Sequence, residues 1–113
     1  MVLAIIGSRS FFDYEKLKDV LKNYLITKIV SGGAKGADSL AKQYALEHNI
    51  PIIEFLPDWD KFGKSAGPIR NQKIVNEAEF IIAFWDGKSK GTKQVIEYVK
   101  KKDKNVRVVL FDF

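Results

Sequence analysis

Lys28-Ile29-Val30-Ser31, then Gly32-Gly33-Ala34-Lys35-Gly36, then Ala37-Asp38-Ser39-Leu40-Ala41 is a β-branched apolar run, a glycine-rich break and the start of an amphipathic stretch in direct succession. A strand that turns through glycines straight into a helix is the first half of a βαβ unit. The same grammar runs through the chain. Apolar runs at Val2 to Ile6, Lys28 to Ser31, Pro51 to Phe55, Phe80 to Phe84 and Val106 to Phe111 predict five strands. Most are continuous rather than alternating, as strands buried on both faces are.

Helical spacing fills the gaps. Tyr14, Leu17, Leu21 and Tyr24 share one face, with Asp13 placed to cap the helix start, and Ala37, Leu40, Ala41, Tyr44 and Ala45 share another. A third helix is expected to open near Pro68, whose missing N–H costs nothing in a first turn, and to bury Ile69, Ile74 or Val75, and Ala78. The fourth is expected from about Thr92 to Lys101 with Val95, Ile96 and Val99 inward. Right-handed crossovers then predict an α/β fold, a three-layer Rossmann-like open parallel sheet of strand order 3-2-1-4-5 with four helices.

The 113 residues are the size of one domain, residues 1–113, and the apolar fraction of 46% supplies a core for it. There is no cysteine, which removes disulfides, thiolate metal sites and cysteine nucleophiles and suits a reducing compartment. Met1 to Ile6 lacks a basic lead and is too short for a signal peptide or membrane span, so a cytoplasmic location and no membrane partner are expected. The net charge of +5 owes much to Lys100-Lys101-Lys102-Asp103-Lys104, which reads as a solvated helix end.

In an open parallel sheet, ligands bind beyond the carboxyl ends of the strands where the strand order reverses, here between the first and fourth strands. Three loops arrive there. Gly7-Ser8-Arg9-Ser10 follows the first strand, Ser31-Gly32-Gly33-Ala34-Lys35-Gly36-Ala37-Asp38 the second, and Trp85-Asp86-Gly87-Lys88-Ser89-Lys90-Gly91-Thr92 the fourth. Glycine lets the backbone approach an oxyanion, and the first N–H groups of the next helix point at it without internal partners. A phosphate-bearing ligand is therefore expected. Gly67-Pro68-Ile69-Arg70-Asn71 adds a guanidinium near a helix start, where it opposes the dipole unless an anion meets it, and Asn71 is placed to orient Arg70 or a base edge.

Other patterns exclude common functions. Gly63-Lys64-Ser65 and Gly87-Lys88-Ser89 resemble the end of a P-loop, but Asp58 and Ile82 stand where its first glycine belongs. Gly7 begins no G-x-G-x-x-G fingerprint, and His48, the single histidine, sits near the end of the second helix. No ligand set argues for a metal of its own; Mg²⁺ would arrive only with a phosphate. Asp38 suits the first turn of its helix whatever the function. Trp85 either stacks on a base or covers the sheet, and Phe11, Phe12, Trp59 and Phe62 are loop aromatics available to a homodimer contact.

Four segments together, Gly7-Ser8-Arg9-x-Phe11, Ser31-Gly32-Gly33-Ala34-x-Gly36-Ala37-Asp38, Gly63-Lys64-x-Ala66-Gly67-x-x-Arg70-Asn71 and Trp85-x-Gly87-x-Ser89-x-Gly91-Thr92, resemble the SLOG superfamily of Rossmann-like domains. Within it they are similar to the short branch related to the YspA and YpsA proteins. The resemblance spans nearly the whole chain. It implies a nucleotide-derived ligand on the Gly-rich loops, since the superfamily holds sensors of nucleotide signals, the DNA-processing protein DprA and the "lonely guy" nucleoside-monophosphate phosphoribohydrolases. Those hydrolases carry Pro-Gly-Gly-x-Gly-Thr-x-x-Glu. Aligned on Gly91-Thr92, this chain has Val95 in place of the glutamate, and Trp85-Asp86-Gly87 departs from the Pro-Gly-Gly start.

Three functions follow. The first is binding or sensing of a nucleotide or nucleotide-sugar, a nucleotide-like small molecule, by Gly7, Ser8, Arg9, Ser31, Gly32, Gly33, Ala34, Gly36, Asp38, Gly67, Arg70, Asn71, Trp85, Ser89, Gly91 and Thr92. The second is hydrolysis of a nucleotide at its N-glycosidic or phosphate bond, for which Asp38 or Asp86 would supply the carboxylate. The third, with less behind it, is single-stranded nucleic-acid binding, consistent with the basic balance.

Overall fold

The computed structural model describes residues 1–111. Five parallel strands form one sheet in the order β3-β2-β1-β4-β5. They are β1 (Val2–Gly7), β2 (Lys28–Ser31), β3 (Ile52–Glu54), β4 (Phe80–Trp85) and β5 (Asn105–Leu110), with every neighbouring pair parallel. The strand order reverses between β1 and β4, where Gly7 pairs with Phe84. The expected open α/β architecture is the observed one.

Strand alternation divides the core in two. Leu3 and Ile5 of β1 join Ile82 and Phe84 of β4 against α1 (Tyr14–Leu21) and α2 (Ala37–Glu47). Ala4 and Ile6 face the other way, onto Ile74 and Val75 of one helix and Val95, Ile96 and Val99 of another. Each central strand is thus buried on both faces, which explains its unbroken apolar run. Asp13 caps α1 as expected, accepting the Lys16 N–H at 3.1 Å.

The differences lie at the edges of elements. A one-turn helix, α3 (Trp59–Phe62), and a 3₁₀ turn over Gly63–Ser65 precede α4 (Ala66–Glu77), which begins two residues before Pro68. Pro68 still sits in the first turn, where its missing donor leaves no bond unmade. The helix α5 (Lys90–Lys101) likewise starts at Lys90 rather than Thr92. Tyr24 lies beyond α1, yet its ring packs on Phe80 with centroids 5.5 Å apart. Phe11, expected among the exposed loop aromatics, is only 1% exposed and stacks on Phe84 at 4.5 Å. It is core, because the loop after β1 folds back over the sheet end; Phe12 and Trp59 remain exposed.

In the lysine-rich end Lys100, Lys101 and Lys102 are exposed as expected, and Lys104 departs from the solvated reading. Lys104 Nζ donates to the carbonyls of Val75 at 2.8 Å, Ala78 at 2.9 Å and Asn76 at 3.2 Å. These belong to the C-terminal end of α4, where backbone carbonyls lack intrahelical partners and the dipole favours a cation.

Candidate functional site

The loop after β1 is anchored before it does anything else. Ser8 N–H donates to Phe84 O at 2.9 Å, Ser8 Oγ accepts the Asp86 N–H at 3.2 Å, and the Ser8 and Ser89 hydroxyls lie 2.9 Å apart. Ser8 therefore ties the ends of β1 and β4 together. Gly7 is required there, since a Cβ on it would come within 2.8 Å of the Ala37 Cβ and closer still to Phe84 O. Gly36 is required for a second reason: its φ is +78°, and a Cβ would stand 2.5 Å from the carbonyl oxygens of Ser8 and Arg9.

A cleft of about 400 Å³ opens above this seam, within the size range of small-ligand sites. Of the residues expected in the site, Gly7, Ser8, Arg9, Ala34, Asp38, Arg70, Asn71, Ser89, Gly91 and Thr92 line it. Ser31, Gly32, Gly33, Gly36, Gly67 and Trp85 do not, although Gly32 supports it indirectly. Arg70 Nη1 donates to Gly32 O at 2.7 Å, and a Cβ on Gly32 would collide with that guanidinium. Trp85 packs on the α4–α5 side of the core and donates its indole N–H to Ser89 O at 3.1 Å, so it braces the loop and does not line the cleft.

At the α5 end of the cleft the helix start is open. Ser89 occupies the cap position but makes no side-chain cap bond, because its hydroxyl is engaged with Asp86 Oδ2 at 2.9 Å and with Ser8. The backbone N–H groups of Lys90, Gly91 and Thr92 have no partner among the described residues. No acidic residue occupies that turn, and nothing lies within 4 Å of a Cβ placed on Gly91. Arg9 is exposed at the rim, and its side chain makes no hydrogen bond or ion pair among the described residues. Arg70 Nε donates to Asn71 Oδ1 at 2.8 Å, so Asn71 orients the guanidinium. Burial lowers the Arg70 pKa from its usual value, and nearby Asp38 opposes that shift.

The two carboxylates considered for chemistry have different surroundings. Asp86 Oδ1 accepts the Ser89 N–H at 2.7 Å and the Lys88 N–H at 2.8 Å, which hold its carboxyl below the ordinary range and commit it to shaping the loop. Asp38 lines the cleft and is 7% exposed. Its Oδ2 accepts the Ala34 N–H at 3.1 Å, whereas Oδ1 and the nearby Ser31 Oγ are buried with no hydrogen bond among the described residues. Burial pushes the Asp38 carboxyl above the ordinary range, only partly offset by the Ala34 amide and the Arg70 charge.

Ile6, Ser10, Ile74 and Val95 also line the cleft and were not among the expected ligand residues. Ile74 and Val95 carried only a core signal, because helical spacing cannot separate a residue under a cleft from one under a neighbouring helix. Ser10 was legible from its place in the loop after β1. His48 is remote from the cleft chemistry: it ends α2, with its ring stacked on Tyr44 at 4.0 Å. Among the described residues, no group of three or more His, Cys, Asp or Glu is placed to hold a metal ion, and no helix is long and apolar enough to cross a membrane.

A doubly wound sheet with a Gly-rich cleft at its switch point defines a Rossmann-like domain. The profile of the YspA, cpYpsA-related SLOG family (YAcAr) matches residues 1–62, and the chain belongs to that family. It is 32% identical over 108 residues to the Gene 61 protein of Mycobacterium phage D29, covering 86% of each chain. The fold is similar to that of DNA processing protein A (DprA) from Streptococcus pneumoniae, with a TM-score of 0.75 and 22% identity over 99% of this chain. The chain spans 50% of that DprA chain.

Proposed function

We propose that the cleft binds a nucleotide or nucleotide-derived ligand, with a phosphate seated at the start of α5 between Arg9 and Arg70. The observation that carries this reading is the open first turn of α5, whose free N–H groups lie beside two guanidinium-bearing side chains in one cleft. Hydrogen bonds to a charged group contribute about 1.5–3 kcal/mol each, so two or three account for micromolar affinity. Membership of a SLOG family agrees with nucleotide-related binding.

The test is a thermal-unfolding screen against nucleoside mono-, di- and triphosphates, cyclic nucleotides and a short DNA strand, followed by calorimetry of any hit. A ligand at a hundred times its dissociation constant stabilises by about 2.7 kcal/mol, which moves the midpoint by ten degrees or so in a domain of this size. Arg9→Ala should abolish most of the shift without changing the unliganded midpoint, because the Arg9 side chain has no bond to lose among the described residues. A shift produced only by DNA, and steeply reduced by salt, would replace this reading with nucleic-acid binding.

One observation favours hydrolysis as a second reading: the buried Asp38 carboxyl, displaced upward, is suited to give a proton to a leaving group. Against it, Val95 lines the cleft where the resembling hydrolases carry glutamate. Release of free base or phosphate that disappears in Asp38→Asn would favour the second reading.

A further inference from the structure

A second cavity of about 220 Å³ runs between α4 and α5 and shares Asn71 and Val95 with the main cleft, so the two adjoin across one wall. Its polar lining differs from that of the α5 start. Gln72 of α4 and Gln94, Glu97 and Lys101 of α5 reach it, and none of these four side chains makes a hydrogen bond or ion pair among the described residues. Tyr98 and Pro68 add apolar surface; the Tyr98 hydroxyl is directed to Asn76 Oδ1 at 3.3 Å, and the Lys102 ammonium stands 5.5 Å from the centre of the Tyr98 ring. Glu97 lies two residues beyond Val95, on the α5 face toward α4 rather than toward the main cleft.

Resting on the phosphate-binding reading above, we infer that this groove is a subsite for a sugar ring carried beyond the phosphate, so that the ligand class is a nucleoside diphosphate sugar. Glu97 accepts hydrogen bonds from hydroxyl groups, and Lys101 in the same lining donates to ring and hydroxyl oxygens. Two side-chain amides offer donors and acceptors together, the combination that hydroxyl groups match, and the tyrosine and proline faces suit the C–H surface of a sugar. The phosphate lies at the α5 start, and the ring passes the Asn71–Val95 wall into the groove.

The experiment is calorimetric titration of UDP against UDP-glucose and of ADP against ADP-ribose, on wild type and on the double variant Gln94→Ala/Glu97→Ala. Both substituted residues are exposed and unbonded, so the unliganded midpoint should not move. At least one sugar conjugate should bind wild type about tenfold or more tightly than its parent diphosphate. In the double variant that advantage should vanish while the parent's affinity stays unchanged. Equal binding of conjugates and parents by wild type, or an advantage that survives in the variant, overturns the sugar subsite and leaves the phosphate reading standing. Weakened parent binding in the variant overturns it too, by placing the base in the groove. If no nucleotide binds wild type at all, the phosphate reading fails and the subsite falls with it.

Discussion

Gly91→Asp separates the stability of the fold from the chemistry of the site. A Cβ at Gly91 meets nothing within 4 Å, and the residue lies in the first turn of α5, so a side chain there is sterically free. Exchanging glycine for aspartate in a helix gains a few tenths of a kcal/mol in propensity, and a carboxylate near the positive end of the dipole adds about 0.3–1 kcal/mol. The variant should therefore be about 0.5–1.5 kcal/mol more stable than wild type, with a midpoint several degrees higher. The same carboxylate occupies the proposed phosphate position. It competes for the N–H groups of Lys90, Gly91 and Thr92 and repels an incoming phosphate, a loss of about 3 kcal/mol or more from two charge-assisted bonds. That is a hundredfold or greater weakening of any phosphate ligand found in the screen. Differential scanning calorimetry and isothermal titration on the same preparation read both effects. A variant that is more stable and still binds within fivefold of wild type would refute the placement of the phosphate at α5.

Lys104→Met should destabilise the protein by about 2 kcal/mol, since three charge-assisted bonds to α4 carbonyls are lost but one part-exposed ammonium shares them. Lys100→Met, at an exposed position, should stay within about 0.5 kcal/mol of wild type. Chemical denaturation compares the two, and equal values would return Lys104 to the solvated run. For Asp38, the raised folded-state pKa means the folded protein prefers the neutral carboxyl, so this group contributes stability at low pH that is lost as pH rises through the folded value. Asp38→Asn keeps an acceptor for the Ala34 N–H and should be more stable than wild type at pH 7. That advantage should shrink as pH falls toward the ordinary carboxylate range. A pH-independent difference in urea midpoints would show that desolvation of the charge is not the cause.

The architecture was legible because it rests on local rules. Continuous apolar runs identify strands buried on both faces, glycine breaks mark the turns into helices, and crossover handedness limits the strand order. The cleft followed from the same rules, since the ends of β1 and β4 at the switch point must present their loops together. Arg9, Gly91 and Thr92 were therefore identifiable as cleft residues from their positions alone. Helix starts were displaced by a turn fraction at α4 and α5 because end residues answer to neighbouring loops as well as to their own propensity.

What each polar side chain does was decided by tertiary structure. Asp38 and Asp86 look alike in sequence, each beside a stretch rich in glycine and serine that follows a strand. Asp86 shapes its loop through the Lys88 and Ser89 amides, whereas Asp38 is buried with one oxygen unpartnered. Arg70 reaches Gly32 across 38 positions of sequence, and Lys104 reaches Val75 across 29. Phe11, carried on the loop after β1, turns inward and covers the sheet end, and Trp85, the last residue of β4, packs half-buried against the other core cluster. The sequence by itself determined the sheet, its order and the strand ends at which a ligand can sit, since periodicity and chain chirality act over a few residues. Only the tertiary structure decided which donors remain unpaired and which carboxyl loses its water, since those depend on groups brought together from distant parts of the chain.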